Sequence, residues 1–126
     1  GINMCGLTTG MDYYIVVRHK SHIAVMSAST ITVPSGTSYD FSESTLQAFG
    51  TNQMKDVDEG LFALYAGDCN SDGVVTLADF NHFQSEAGGV NVYLDSDANL
   101  DRIVSVADLN MYQPNASIIG IEQIRY

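Results

Sequence analysis

Apolar positions fall into two regimes that change over near residue 67. In the first, Tyr13-Tyr14-Ile15-Val16-Val17-Arg18 is dense in aromatic and β-branched residues, which suit a pleated surface, and predicts a strand. His19-Lys20-Ser21-His22 turns the chain, and Ile23-Ala24-Val25-Met26-Ser27-Ala28 follows as its hairpin partner. Ile31-Thr32-Val33 runs into Pro34-Ser35-Gly36, which ends it. Ser44 to Ala48 suits a short helical turn, Lys55 to Gly60 a polar surface turn, and Leu61 to Ala66 a buried strand. In the second regime the period becomes helical. Leu77, Phe80 and Phe83 recur at a spacing of three, as do Val106, Leu109 and Tyr112, which gives two helices one apolar face each. Gly88-Gly89 stops the first and Pro114 the second. Val90 to Leu94 alternates as a short strand or extended linker, and Ile118 to Ile124 reads as a closing strand.

The polar residues ahead of each helix carry the chemistry. Asp68-Cys69-Asn70-Ser71-Asp72-Gly73-Val74-Val75-Thr76-Leu77-Ala78-Asp79 puts oxygen-bearing side chains at positions one, three, five, nine and twelve, glycine at six and an apolar residue at eight. That is the layout of an EF-hand calcium loop, since a hard divalent ion takes six to eight oxygens and alternate side chains on a turning backbone can converge on it. The expected ligands are Asp68, Asn70, Asp72, the carbonyl of Val74, Thr76 and Asp79. Asp97-Ala98-Asn99-Leu100-Asp101-Arg102-Ile103-Val104-Ser105-Val106-Ala107-Asp108 repeats the pattern at an offset of 29 residues (97 − 68 = 29). Its ligands are Asp97, Asn99, Asp101, the carbonyl of Ile103, Ser105 and Asp108.

The repeat runs on past the loops, because Ala78-Asp79-Phe80-Asn81-His82-Phe83-Gln84 aligns with Ala107-Asp108-Leu109-Asn110-Met111-Tyr112-Gln113. The ninth residues, Thr76 and Ser105, are placed to act as helix N-caps, with Asp79 and Asp108 completing a capping box. The eighth residues, Val75 and Val104, are expected to meet in a short antiparallel bridge that couples the two ions. In the second loop Arg102 replaces the glycine, so a left-handed backbone there carries strain of about 1 kcal/mol and the second ion is expected to bind more weakly.

This doubled loop-helix unit, with aspartate at position twelve and no helix entering either loop, resembles the type I dockerin modules of bacterial extracellular proteins over residues 67–114. Tyr13 to Met26 and Tyr39-Asp40-Phe41 are similar to a segment found ahead of dockerin-like repeats in secreted proteins of the Bacteroidetes type. The resemblance implies a non-catalytic module of a secreted or cell-surface protein that docks a cohesin-type receptor, as in cellulosome-like assemblies for polysaccharide degradation. It also implies that partner choice rests on loop positions ten and eleven, here Leu77, Ala78, Val106 and Ala107, where the familiar Ser/Thr pair is absent. The competing expectation is a calcium-stabilised structural terminal domain of a larger adhesin or polysaccharide-degrading enzyme.

Together these readings predict an α+β fold: residues 1–66 form a β-rich part, hairpin-like or part of a sandwich, packed against two calcium loop-helix repeats in 67–126. With 126 residues, 45% of them hydrophobic and 16% charged, the chain can build one modest core or two small units sharing an interface. The formal charge of −10 argues against nucleic acid and anionic membranes as partners, and two calcium ions would cancel four of those charges. No apolar run approaches the length of a bilayer crossing, and the chain is expected to be part of a longer, multidomain protein. Cys5 and Cys69 could pair in an extracellular setting or remain two separate thiols. His19 and His22, three apart, are expected on opposite faces or in solvent rather than on zinc, and Asn115-Ala116-Ser117 fits a glycosylation tripeptide that is common by chance. Neither a nucleophile motif nor a phosphate loop is present, and the loop aspartates are explained as ligands.

Overall fold

The computed structural model describes residues 6–91 and 93–125. They form a small mixed α+β domain in which short antiparallel ribbons precede two helices. The ribbons are three two-stranded sheets rather than the layers of a sandwich: β1 (Asp12–Tyr13) with β4 (Ile31–Thr32), β2 (Val16–His19) with β3 (His22–Met26), and β5 (Lys55–Asp58) with β6 (Leu61–Ala63). The helices are α1 (Leu77–Glu86) and α2 (Val106–Tyr112), the latter running into a 3-10 turn at Gln113–Asn115 that contains Pro114.

The β2–β3 hairpin matches the pattern of apolar residues, but three other expectations are corrected. The run from Tyr13 to Arg18 is not one strand. It breaks after Tyr13 so that β1 can pair β4 while β2 pairs β3. Lys55–Asp58 is a strand rather than a turn, exposed on most of its length, and it pairs with β6 through a register shift at Asp58. The expected closing strand over 118–124 reduces to one bridge, Val74 to Ile119, with Ile121 and Ile124 buried beyond it.

β3 is buried on both sides, which explains its unbroken apolar run. Ile23 packs with Tyr65 and Val75, flanked by Tyr112 and Ile118. Ala24 and Met26 meet Ile121 and Ile124. Val25 meets Ala48 and Met54. The first two clusters thus draw on both halves of the chain. The hairpin tip adds polar ties: Gly67 N–H donates to Ser21 O (2.8 Å), Ser71 Oγ to Lys20 O (3.3 Å), and the Lys20 ammonium reaches Leu94 O and lies 3.9 Å over the Tyr93 ring. One hairpin therefore touches the approach to each acidic loop. Asn115 is 1% exposed, with its amide donating to Ala66 O and Met111 O and its oxygen accepting from Lys55, so it is structural and closed to glycan attachment.

Candidate metal centres

Each acidic loop is shaped by its own side chains. In the first, Asp68 Oδ1 and Oδ2 accept the N–H groups of Asp72 (2.9 Å) and Gly73 (3.1 Å). Asn70 Oδ1 accepts from Asp72 N–H (3.0 Å), Asp72 Oδ1 from Val74 N–H (2.9 Å), and Asp79 from the N–H groups of Asn70 (3.2 Å) and Thr76 (2.7 Å). These bonds bend the backbone around the acidic side chains, as Asx residues do when they compete for main-chain donors. The second loop repeats them: Asp97 accepts from Asp101 and Arg102, Asn99 from Asp101, Asp101 from Ile103, and Asp108 from Asn99 and Ser105. Thr76 and Ser105 cap α1 and α2, and both capping boxes are complete. The fourth and sixth positions are left-handed in both loops: Ser71 and Leu100, then Gly73 (φ 87°) and Arg102 (φ 70°). The backbone demands that conformation even where arginine resists it.

Asp68, Asp79, Asp97 and Asp108 are all at most 2% exposed. Four buried carboxylates in so small a domain are costly unless compensated. Burial pushes the Asp68 carboxyl up to about 6, opposed by the Gly73 N–H and reinforced by the Asp79 charge beside it. A cation in the loop would relieve that stress. The remaining oxygens of each set belong to Asn70 and Asn99, the exposed carboxylates of Asp72 and Asp101, the carbonyls of Val74 and Ile103, and the hydroxyls of Thr76 and Ser105, so every sequence-predicted residue lies in its loop or at the N-cap that ends it. The aspartates of one loop do not approach one another closely enough to form a tight triplet. Among the described residues, three metal-binding side-chain atoms come within 4.8 Å of one another at His82, Glu86 and Asp95.

The coupling between the loops differs from expectation. Val75 and Val104 do not bridge each other. Val75 exchanges main-chain hydrogen bonds with Ser117 and Ile118 (2.7 and 2.9 Å), just after α2, whereas Val104 exchanges them with Gly88 and Gly89 (2.9 and 3.0 Å), just after α1. Each helix therefore delivers its exit segment to the other helix's loop. The partners obey the 29-residue offset throughout, including the bridges Val74 to Ile119 and Val90 to Ile103, so the two copies embrace as a pseudo-twofold pair. The side chains follow: Phe83 is buried and stacks near Phe80, which in turn stacks on Tyr112, and the Tyr112 hydroxyl donates to Thr76 O (2.8 Å).

Leu77 and Val106, at position ten of the two loops, are each 68% exposed. They stand off the buried helix face, while Phe80 and Leu109 are half-buried. His19 and His22 also depart from expectation. They are direct cross-strand partners, half-buried, with ring centroids 4.4 Å apart. Burial, aided by the nearby His19, lowers His22 to about 4, and burial with the Lys20 charge lowers His19. Cys69 is a buried thiol pushed up to about 11 by that burial, and Cys5 lies outside the described residues. Sequence reasoning missed Glu86, whose carboxylate accepts from Ser96 N–H (2.8 Å) and ties α1 to the approach of the second loop. The His82/Glu86 spacing on a predicted helix was the signal available. No helix among the described residues is long and apolar enough to cross a membrane. No protein-family model, curated protein or solved structure matches the chain.

Proposed function

We propose that this chain is a non-catalytic, dockerin-like module that binds two calcium ions and docks a protein receptor of the cohesin type, as part of a secreted or cell-surface bacterial protein. The observation that carries it is the duplicated hydrogen-bond pattern: two loops of EF-hand layout fold alike at a 29-residue offset although one has arginine at the sixth position (102 − 73 = 29). Buried carboxylates fixed by backbone donors, next to hydroxyl and carbonyl oxygens, suit a hard cation better than a proton-transfer role. The exposed pair Leu77 and Val106 presents the same apolar side-chain position from each repeat, as a surface for docking requires.

Calorimetric titration of chelator-treated protein with calcium tests this reading. Two ions per chain are expected, with a rise in melting temperature that grows with free calcium, because an ion bound to the folded state alone adds stability with occupancy. An unchanged melt and no binding heat would overturn it. The structural terminal domain of a larger adhesin or polysaccharide-degrading enzyme is a second reading, favoured by the core that Ile23 and Tyr65 share with Val75. Leu77→Ser with Val106→Ser separates the two, since receptor docking is lost with stability intact only if those side chains meet a partner.

A further inference from the structure

We propose that His82, Glu86 and Asp95 form a third metal site, for a zinc-class transition ion, apart from the two acidic loops. His82 and Glu86 stand one turn apart in the second half of α1, and Asp95 comes from the segment that leads into the second loop. One metal-binding atom from each lies within 4.8 Å of the others. His82 Nε2 is 3.4 Å from Glu86 Oε1, outside good hydrogen-bond geometry, and it is a buried ring nitrogen with no hydrogen-bond partner. A ring nitrogen without a hydrogen bond, at ion-pair distance from one carboxylate and near a second, is placed to take a cation. Glu86 is already oriented, because Ser96 N–H holds its other oxygen, Oε2, at 2.8 Å. A carboxylate so tethered by one oxygen offers the second to a metal with little left to order.

The internal repeat supplies the control. At the same 29-residue offset, His82, Glu86 and Asp95 correspond to Met111, Asn115 and Ala66 (111 − 82, 115 − 86 and 95 − 66). There the latch is closed without a carboxylate: the Asn115 amide donates to Ala66 O (2.8 Å) and Met111 O (2.9 Å), and its oxygen accepts from the Lys55 ammonium (2.9 Å). A structural tie between a helix and the approach to the opposite loop thus needs only an amide. In the first repeat that tie is built instead from an imidazole and two carboxylates, which leave capacity for a ligand. One nitrogen and two carboxylate oxygens, with Asp95 exposed, form a three-ligand set with a position left for water, the arrangement of an open zinc site. Imidazole selects such ions over calcium, which prefers all-oxygen sets. The three residues belong to neither loop's expected ligand set.

The test titrates the full chain with zinc while excess calcium occupies any site that prefers hard cations, and follows cobalt as a spectroscopic substitute. One zinc per chain is expected, with a cobalt visible band of a low-coordinate site. His82→Ala, which keeps a strong helix former on a half-exposed position, should weaken zinc binding at least about tenfold. Asp95→Asn, on an exposed residue outside any helix, should weaken it too. His22→Gln, at the other histidine pair, should change neither. No stoichiometric zinc binding overturns the proposal. So does binding that survives His82→Ala and Asp95→Asn in folded protein, or that disappears in His22→Gln.

Discussion

The two acidic loops share the carboxylate and amide hydrogen bonds to the backbone that bend them, yet the first turns through Gly73 and the second through Arg102. Both residues are left-handed, so the conformation is imposed by the surrounding Asx bonds and not by the residue that adopts it. The second loop therefore holds strain that the first does not. The flanking residues differ as well. Gly67 precedes the first loop at φ 119°, against Tyr112 and Val75, whereas its counterpart Ser96 is a buried side chain beside Glu86. The two copies keep one backbone plan and fill its surroundings differently.

The largest effect expected is from removing the first ligand of either loop. On the calcium reading, Asp68→Ala and Asp97→Ala each lose one ion, and at a thousandfold excess of calcium over Kd each loses about 4 kcal/mol of stability, seen in denaturant melts with and without chelator. Equal losses without calcium would break the comparison, since they would locate the effect in the loop's own hydrogen bonds. Next is Gly67→Ala. A Cβ there would meet Tyr112 Cδ2 and Val75 Cγ1 at 3.0 Å on a left-handed backbone, so a loss of about 3 kcal/mol is expected by urea melting. Arg102→Gly should stabilise by about 1 kcal/mol and, on the calcium reading, tighten binding at the second loop, bringing the two loops toward equality in calorimetry.

The smallest effects are in pH. His22 is lowered from 6.5 to about 4, so between those values the unfolded chain takes up a proton that the folded chain refuses. Stability then falls as pH falls through that window. Wild type measured against His22→Gln, in chelator, should lose its relative advantage between pH 6.5 and 4, and a flat difference would refute the assignment. Asp68 runs the other way. Its carboxyl is raised from 3.8 to about 6, so on the calcium reading protons would compete with the ion at the first loop as pH falls through about 6, and the affinity should drop there.

Much of this was legible in the chain. The 29-residue repeat, both helix starts and both caps follow from residues such as Thr76, Asp79, Ser105 and Asp108, whose hydrogen bonds are local and whose spacing is therefore written in the sequence. The β2–β3 hairpin was legible for the same reason, being a contact between neighbours. What tertiary structure alone decided is nonlocal. Val75 and Val104 found partners after the opposite helices instead of each other, β1 split from β2 to reach Ile31 and Thr32, and Lys55–Asp58 became a strand because β6 lay beside it. Strand pairing is chosen by whichever donors and acceptors packing brings together, and a period of apolar residues does not name the partner. The same holds for His82, Glu86 and Asp95, since Asp95 reaches the other two only when the segment after α1 folds back so that Ser96 can bond Glu86.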